Sequence, residues 1–142
     1  MLSFEHLRGL TQDLSLLYVE DMEEIQKGMM PLFEALFRRV VTASDGRRAL
    51  ELYEQEEAGF DLVITDVMMP VMNGVELCNH IKALKPTQHI IIISASNEGQ
   101  LVDEGLRAQV DGFILKPVIS SQFGEALTRA ARAIQESRLA EG

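Results

Sequence analysis

Cysteine is almost absent from this chain of 142 residues. The single cysteine, Cys78, excludes an internal disulfide. Its apolar neighbours Val75, Leu77 and Ile81 predict a buried thiol that packs in the core rather than a reactive one. A hydrophobic content of 46% is sufficient for a substantial core, and the length fits one domain.

Long apolar runs and positive charge are also lacking. No apolar stretch approaches the roughly 18 residues that a bilayer-spanning helix needs, and Glu5, His6 and Arg8 stand where a signal peptide would have its apolar segment. The formal net charge of −9 disfavours direct contact with nucleic acid, because that affinity comes mostly from lysine and arginine neutralising phosphates. We therefore expect a cytoplasmic protein that contacts neither membrane nor nucleic acid.

The apolar residues that are present form five short runs typical of β-strands, and the segments between them have helical periodicity. Strands that are apolar along their whole length are buried on both faces, so their alternation with helices predicts a parallel sheet with helices on both sides. We predict an α/β fold, a three-layer, doubly wound, five-stranded (βα)5 domain with right-handed crossovers. The predicted strands are residues 14–19, 40–43, 62–65, 90–94 and 112–115.

Several local signals set the expected boundaries of the helices. Pro31 falls inside the first helix, so we expect a kink there or a helix that begins again near this residue. Ser44 or Asp45 is the expected N-cap of the second helix and Gly59 its stop. The fourth helical segment, 97–108, has the weakest pattern. The last helix begins near Ser121, and we divide the chain into an N-terminal extension (1–13), a domain (14–136) and a C-terminal tail (137–142).

Acidic residues and one lysine follow three of the predicted strands. Glu20 and Asp21 follow the first strand, Asp66 follows the third, and Lys116 follows the fifth. Periodicity does not fix the strand order, but in the flavodoxin-like order 2-1-3-4-5 the first and third strands are neighbours at the topological switch point. In that order the three carboxylates meet in one crevice at the carboxyl edge of the sheet.

Three carboxylates in one crevice repel one another unless some are protonated or a cation joins them. The oxygen ligands favour Mg²⁺ or Mn²⁺, because zinc would require histidine or cysteine. A phosphoryl group on Asp66 would add negative charge that the cation and Lys116 are placed to hold. Ser94, at the end of the fourth strand, adds a hydroxyl donor, and Lys116 must lean across two strands, roughly 10 Å, to reach Asp66.

These motifs resemble the receiver domain of bacterial two-component response regulators, and the resemblance covers about residues 14–134. With this resemblance we predict the flavodoxin-like strand order 2-1-3-4-5. Two departures are visible, since the acidic pair is Glu-Asp where Asp-Asp is commoner, and a phenylalanine stands where tyrosine is also common. The matching motifs are Glu20-Asp21, Asp66 with Met69-Pro70 and Asn73-Gly74 after it, Ser94-Ala95, and Phe113 with Lys116-Pro117 after it.

The resemblance implies a role for each residue of the site. It implies that Asp66 accepts a phosphoryl group from the phosphohistidine of a sensor histidine kinase or phosphotransfer protein. It also implies that Asp21, Asp66 and the backbone carbonyl of Met68 bind Mg²⁺, and that Glu20 acts through a metal-bound water. These residues would then form a self-modifying signalling site rather than an enzyme active site for outside substrates.

The resemblance further implies a switch. Lys116 would pair with the phosphoryl oxygens, Ser94 would donate a hydrogen bond to one of them, and Phe113 would move inward with Ser94. The Lys116–Pro117 bond is expected to be cis. The surface formed by the fourth helix, the fifth strand and the fifth helix would then bind an effector domain or a protein partner. The extended helical pattern from Ser121 to Leu139 indicates a last helix that continues into an effector or forms a homodimer.

Two other functions are compatible with parts of the sequence. A phosphorylation-independent interaction module would keep the fold, but the complete set of acids, serine and lysine argues against it. A phosphatase with an aspartyl nucleophile, as in haloacid dehalogenase-like enzymes, would place an Asp-x-Asp pattern after the first strand, and that pattern is missing.

Overall fold

The computed structural model describes residues 3–95, 104–116 and 121–141. Its five strands form one parallel sheet in the order β2-β1-β3-β4-β5, which confirms the predicted fold and strand order. The strands are β1 (Ser15–Val19), β2 (Arg39–Ala43), β3 (Leu62–Asp66), β4 (His89–Ser94) and β5 (Gly112–Leu115). The helices of the described ranges are α1 (Phe4–Thr11), α2 (Glu23–Leu36), α3 (Gly46–Gln55), α4 (Gly74–Leu84), α5 (Glu104–Gln109) and α6 (Ser121–Glu141).

The sheet is buried on both faces because alternate side chains of each strand enter two separate hydrophobic clusters. Leu16 and Ile64 pack with side chains of α2 and α6 on one face. Leu17 and Val63 pack with side chains of α3, α4 and α5 on the other. Cys78 lies fully inside the second cluster, as predicted, and burial raises the pKa of its thiol to about 12. No helix within the described ranges is long and apolar enough to cross a membrane.

Two helix starts fix the loops at the carboxyl edge of the sheet. The Asp45 side chain caps α3 by accepting a hydrogen bond from the Arg48 backbone N–H at 2.8 Å. Asn73 and Glu76 form a capping box at the start of α4. A Cβ atom at Gly74 would collide with the carbonyl oxygen of Asp66, so glycine is required for α4 to begin this close to the end of β3.

Two expected helix boundaries were wrong, a second start of the first helix near Pro31 and a stop of the second helix at Gly59, whereas the alternative of a kink at Pro31 stays a prediction. Helix α2 runs without interruption from Glu23 to Leu36 with Pro31 inside it, so it does not begin again there. Pro31 is exposed, and the burial of Phe33 and Leu36 offsets the lost backbone hydrogen bond. Helix α3 ends at Gln55, before Gly59, which instead occupies the following turn at φ 74°.

Helix α1 was not predicted, because the sequence before residue 14 was treated as an extension. Ser3 caps this helix by accepting a hydrogen bond from the His6 backbone N–H. Leu7 and Leu10 pack against the α2–α6 side of the core, and the Thr11 hydroxyl donates to the Leu36 carbonyl at 2.7 Å. The N-terminal segment therefore adds a helix to the (βα)5 core.

Helix α6 continues through residues 137–141, which were assigned to a tail. Arg138 forms ion pairs with Asp13 and with Asp61, each at 2.9 Å. Gln135 donates to the Leu10 carbonyl at 3.1 Å and to Asp13 at 3.0 Å. These contacts connect the second half of α6 to α1 and to the amino edge of the sheet. The predicted boundary between the domain and a C-terminal tail, at residue 136, stays a prediction.

Candidate functional site

The parallel register of the sheet brings the predicted site residues to one edge. Asp66 is the last residue of β3, Glu20 and Asp21 follow β1, Ser94 ends β4 and Lys116 follows β5. One oxygen from each of the three acids lies within 4.8 Å of the others. The structure therefore forms the crevice of three carboxylates that the sequence predicts.

Lys116 reaches across the sheet to this crevice. Its Nζ lies 3.0 Å from Asp66 Oδ2 and 4.0 Å from Glu20 Oε1. The other Asp66 oxygen, Oδ1, accepts a hydrogen bond from the Val67 backbone N–H at 2.9 Å. Asp66 is 3% exposed, so its negative charge is held by one lysine and one backbone dipole rather than by bulk water.

Glu20 is buried beside Asp66 and is 2% exposed. Burial, followed by repulsion from the charge of Asp66, raises the pKa of Glu20 to about 7, and the Met22 backbone N–H and Lys116 oppose this shift only in part. The positive charge within the cluster is therefore too small for three ionised acids. A divalent cation would supply what is missing.

The donor set fits a hard cation. All the side-chain donors are carboxylate oxygens, and Asp21 is exposed, which leaves room for metal-bound waters of the kind that Mg²⁺ retains. His6 lies on α1 and His80 on α4, while His89, at the amino end of β4, contacts Asp111 at 3.0 Å. No histidine of the described ranges therefore belongs to the acidic cluster, so its donors are the oxygens that Mg²⁺ prefers rather than the nitrogen or sulfur ligands typical of zinc.

Three details of the predicted site are left open by the structure. Ser94 is fully buried, and its hydroxyl donates to the Ala95 carbonyl at 2.8 Å, so its contact with a phosphoryl group stays a prediction. The role of the Met68 carbonyl also stays a prediction, although Met68 follows Asp66 by two positions and its side chain is half-exposed. Pro117 lies outside the described residues, and with it the expected cis bond.

Phe113 has a partner that the sequence did not reveal. The ring is half-buried against the α3–α4 side of the core, and the guanidinium carbon of Arg107 lies 4.3 Å from its centroid. This distance is that of a cation–π contact. A six-residue separation across a helix end and a turn carries no sequence signal for such a pair, so only the fold shows it.

The comparisons with known proteins identify what this fold and site resemble. A family model described as the response regulator receiver domain matches residues 16–128. The transcriptional regulatory protein HptR of Staphylococcus aureus (strain N315) is 34% identical over 116 residues, which is 82% of this chain and 44% of HptR. The chain thus spans less than half the length of this curated relative.

Solved structures show the same likeness. A two component transcriptional regulator AraC from Clostridium phytofermentans ISDg has a TM-score of 0.75 and 26% identity, with 90% of this chain and 99% of that chain covered. The CheX-CheY-BeF3-Mg²⁺ complex from Borrelia burgdorferi has a TM-score of 0.67 and 25% identity, with 92% of this chain and 91% of that chain covered.

Proposed function

The chain belongs to the response regulator receiver domain family, and we propose that Asp66 is its phosphoacceptor. It is a signalling module, and the two alternative functions are not favoured. The observation that carries the assignment is the convergence on Asp66 of Glu20 and Asp21, within 4.8 Å, and of Lys116, at 3.0 Å. A nucleophile, a cation site and a fixed positive charge in one crevice are the requirements of phosphoryl transfer to a carboxylate.

In the proposed reaction an Asp66 oxygen attacks the phosphorus of a phosphohistidine. The new P–O bond forms as the P–N bond breaks, and the imidazole leaves with a proton. Lys116, already paired with Oδ2, faces the negative charge that the phosphoryl oxygens bring. Bound Mg²⁺ would neutralise part of the same charge, and Asp21, Asp66 and the Met68 carbonyl are the residues proposed to hold it, with Glu20 acting through a metal-bound water.

Receiver domains interact with histidine kinases and with effector or partner proteins, and for this chain we propose the same classes. The phosphodonor would be a sensor histidine kinase or a phosphotransfer protein. Because α1 precedes the (βα)5 core, the fourth and fifth helices of that core are α5 and α6. The surface formed by α5, β5 and α6, the α5-β5-α6 surface, contains Phe113 and would bind the effector, a protein partner or a second copy of the chain. Mg²⁺ is the proposed cofactor because the similar Borrelia structure contains it, and Mn²⁺ is an expected substitute. The cytoplasmic location expected from the sequence stays a prediction.

A titration followed by ¹H–¹⁵N NMR tests this proposal. Addition of beryllofluoride in the presence of Mg²⁺ should shift amide resonances around Asp66, Ser94 and Phe113, because the anion occupies the position of the phosphoryl group. The Asp66→Asn variant should show no such shifts. Asp13→Asn, the same chemical change at the opposite edge of the sheet, should respond as the wild type does. Unchanged wild-type spectra, or an equal response from Asp66→Asn, would reject the assignment.

A further inference from the structure

Tyr18 lies on β1, the strand that leads to the Glu20 and Asp21 side of the acidic crevice. It is in β1, two residues before Glu20, and because side chains alternate along a strand the two residues point to the same face of the sheet. Its side chain is 1% exposed. The ring packs edge-on against Phe33 of α2, with the centroids 4.8 Å apart, which fixes the direction of the phenol.

The Tyr18 hydroxyl is buried without a protein partner among the residues that the structure describes. Buried tyrosine hydroxyls are normally hydrogen-bonded, because an unsatisfied donor loses its interaction with water and gains nothing in return. Tyr53 follows this rule, since its hydroxyl donates to Gln88 Oε1 at 2.7 Å. Phenylalanine would fill the Tyr18 position without that loss, so packing alone does not explain the hydroxyl.

The charges of the site act on the Tyr18 phenol, which lies on the same face of β1 as Glu20. After burial, the largest influences on Tyr18 are the charges of Glu20 and then Asp66, and together they raise the pKa of the phenol well above its ordinary value. A neutral phenol beside two carboxylates is a hydrogen-bond donor facing acceptors. The hydroxyl therefore has no partner among the described residues, and the carboxylates whose charges act on it are groups that could accept its hydrogen bond.

Resting on the proposed function, we propose that Tyr18 is a positioning residue of the cation-loaded site, where its hydroxyl donates a hydrogen bond to the Glu20 carboxylate directly or through one water. Glu20 has acceptor sites left for this bond. Its Oε2 accepts from the Met22 backbone N–H at 3.2 Å, and its Oε1 lies 4.0 Å from Lys116 Nζ, whereas a carboxylate offers about four lone-pair sites.

The proposed hydrogen bond from Tyr18 to Glu20 affects the geometry of the site rather than its charge. A cation held by Asp21 and Asp66 would relieve the repulsion between Glu20 and Asp66, and that repulsion would then no longer determine where the Glu20 side chain lies. The fixed phenol then holds Glu20, and any water it binds, in one position. Tyr18→Phe should lose this support while keeping the ring and its packing against Phe33.

The chain contains two tyrosines, which supplies a matched control. The affinity for Mg²⁺ alone is measured by NMR titration for wild type, Tyr18→Phe and Tyr53→Phe, and the thermal midpoint of each is measured without Mg²⁺. Tyr18→Phe should weaken Mg²⁺ binding by about three- to tenfold, the value of one hydrogen bond, with an equal or higher midpoint. Tyr53→Phe should bind Mg²⁺ as the wild type does and unfold at a lower temperature.

The possible results are distinct. Equal Mg²⁺ affinity of wild type and Tyr18→Phe overturns the positioning role and leaves the proposed function standing. Absence of Mg²⁺ binding by the wild type overturns both. As a second readout, the ¹³Cζ resonance of Tyr18 should move during the titration, that of Tyr53 should not, and Asp21→Asn should abolish the movement. A stationary Tyr18 resonance in the binding-competent wild type contradicts the proposed hydrogen bond.

Discussion

The charged side chains of the site are arranged in a way that favours cation binding and lowers the stability of the metal-free protein. Glu20 and Asp66 are both buried, and Lys116 is the cation that the structure places beside them. Two buried carboxylates with one lysine leave negative charge uncompensated, and such charge is costly in a low-dielectric interior. The free protein therefore carries an electrostatic strain at the place where Mg²⁺ is proposed to bind.

This strain predicts a pH dependence of stability. The pKa of Glu20 is raised from 4.5 to about 7, so the folded state binds this proton more tightly than the unfolded state. The free energy of unfolding should therefore fall as pH rises from about 4.5 through about 7. Glu20→Gln should remove this contribution and make the metal-free protein more stable at pH 8 by about 3 kcal/mol, measured by urea denaturation at several pH values.

The control is Glu57→Gln, since Glu57 is exposed. That variant should retain the wild-type pH profile. Saturating Mg²⁺ should flatten the wild-type profile, because the cation stabilises the ionised site. A Glu20→Gln profile parallel to that of the wild type between pH 4.5 and 8 would show that Glu20 does not carry the strain.

Among the secondary-structure elements, α6 has the most informative contacts. It has 21 residues and so is roughly 30 Å long. It begins five positions after Lys116, and near its other end Arg138 binds Asp13 and Asp61 at the amino edge of the sheet. The helix therefore connects the edge that carries the site with the edge that carries α1.

Removal of the Arg138 ion pairs should loosen the end of α6. Arg138→Met should increase hydrogen exchange of the amides of residues 135–141 at least several-fold. It should also lower the free energy of unfolding by about 1 kcal/mol, a modest value because Arg138 is partly exposed. The matched variant Arg132→Met, on the same helix and exposed, should leave exchange at 135–141 unchanged. Equal protection in all three proteins would mean that packing alone fixes the helix end.

The comparison of elements shows what local patterns predict and what they miss. All five strands were predicted, because buried parallel strands are continuous apolar runs. The strand order, which those runs do not fix, was predicted as the flavodoxin-like order and is confirmed. Helix α1 was missed since its stability depends on packing of Leu7 and Leu10 against the rest of the core. Helix α2 continues through Pro31 for the same reason, because its packing against the core outweighs the tendency of proline to interrupt a helix.

The features of the candidate site likewise divide into those that the sequence predicts and those that only the structure shows. Glu20, Asp21, Asp66 and Lys116 could be placed from their positions at strand ends, which the parallel sheet brings together. The Arg107–Phe113 contact and the unpartnered hydroxyl of Tyr18 could not, because both depend on the distance between side chains of different elements. Strand position predicts which residues meet, whereas their hydrogen bonds depend on the packed structure.

For the whole molecule, the central claim is that this receiver domain is phosphorylated on Asp66 in a Mg²⁺-dependent reaction. The same reaction would bias the α5-β5-α6 surface between two conformations and so change the binding of a partner. The chain spans 44% of HptR, and the activity of a whole protein that contains it is outside this claim. The proposed phosphorylation can be measured directly on this domain.

The most direct test is intact mass spectrometry after incubation with acetyl phosphate, a small phosphodonor. The wild type should gain the mass of one phosphoryl group, the gain should require Mg²⁺, and fragmentation should place it on Asp66. Asp66→Asn should show no gain, and Asp13→Asn should behave as the wild type. A wild-type protein that stays unmodified in Mg²⁺, or a modification that persists in Asp66→Asn, would contradict the account.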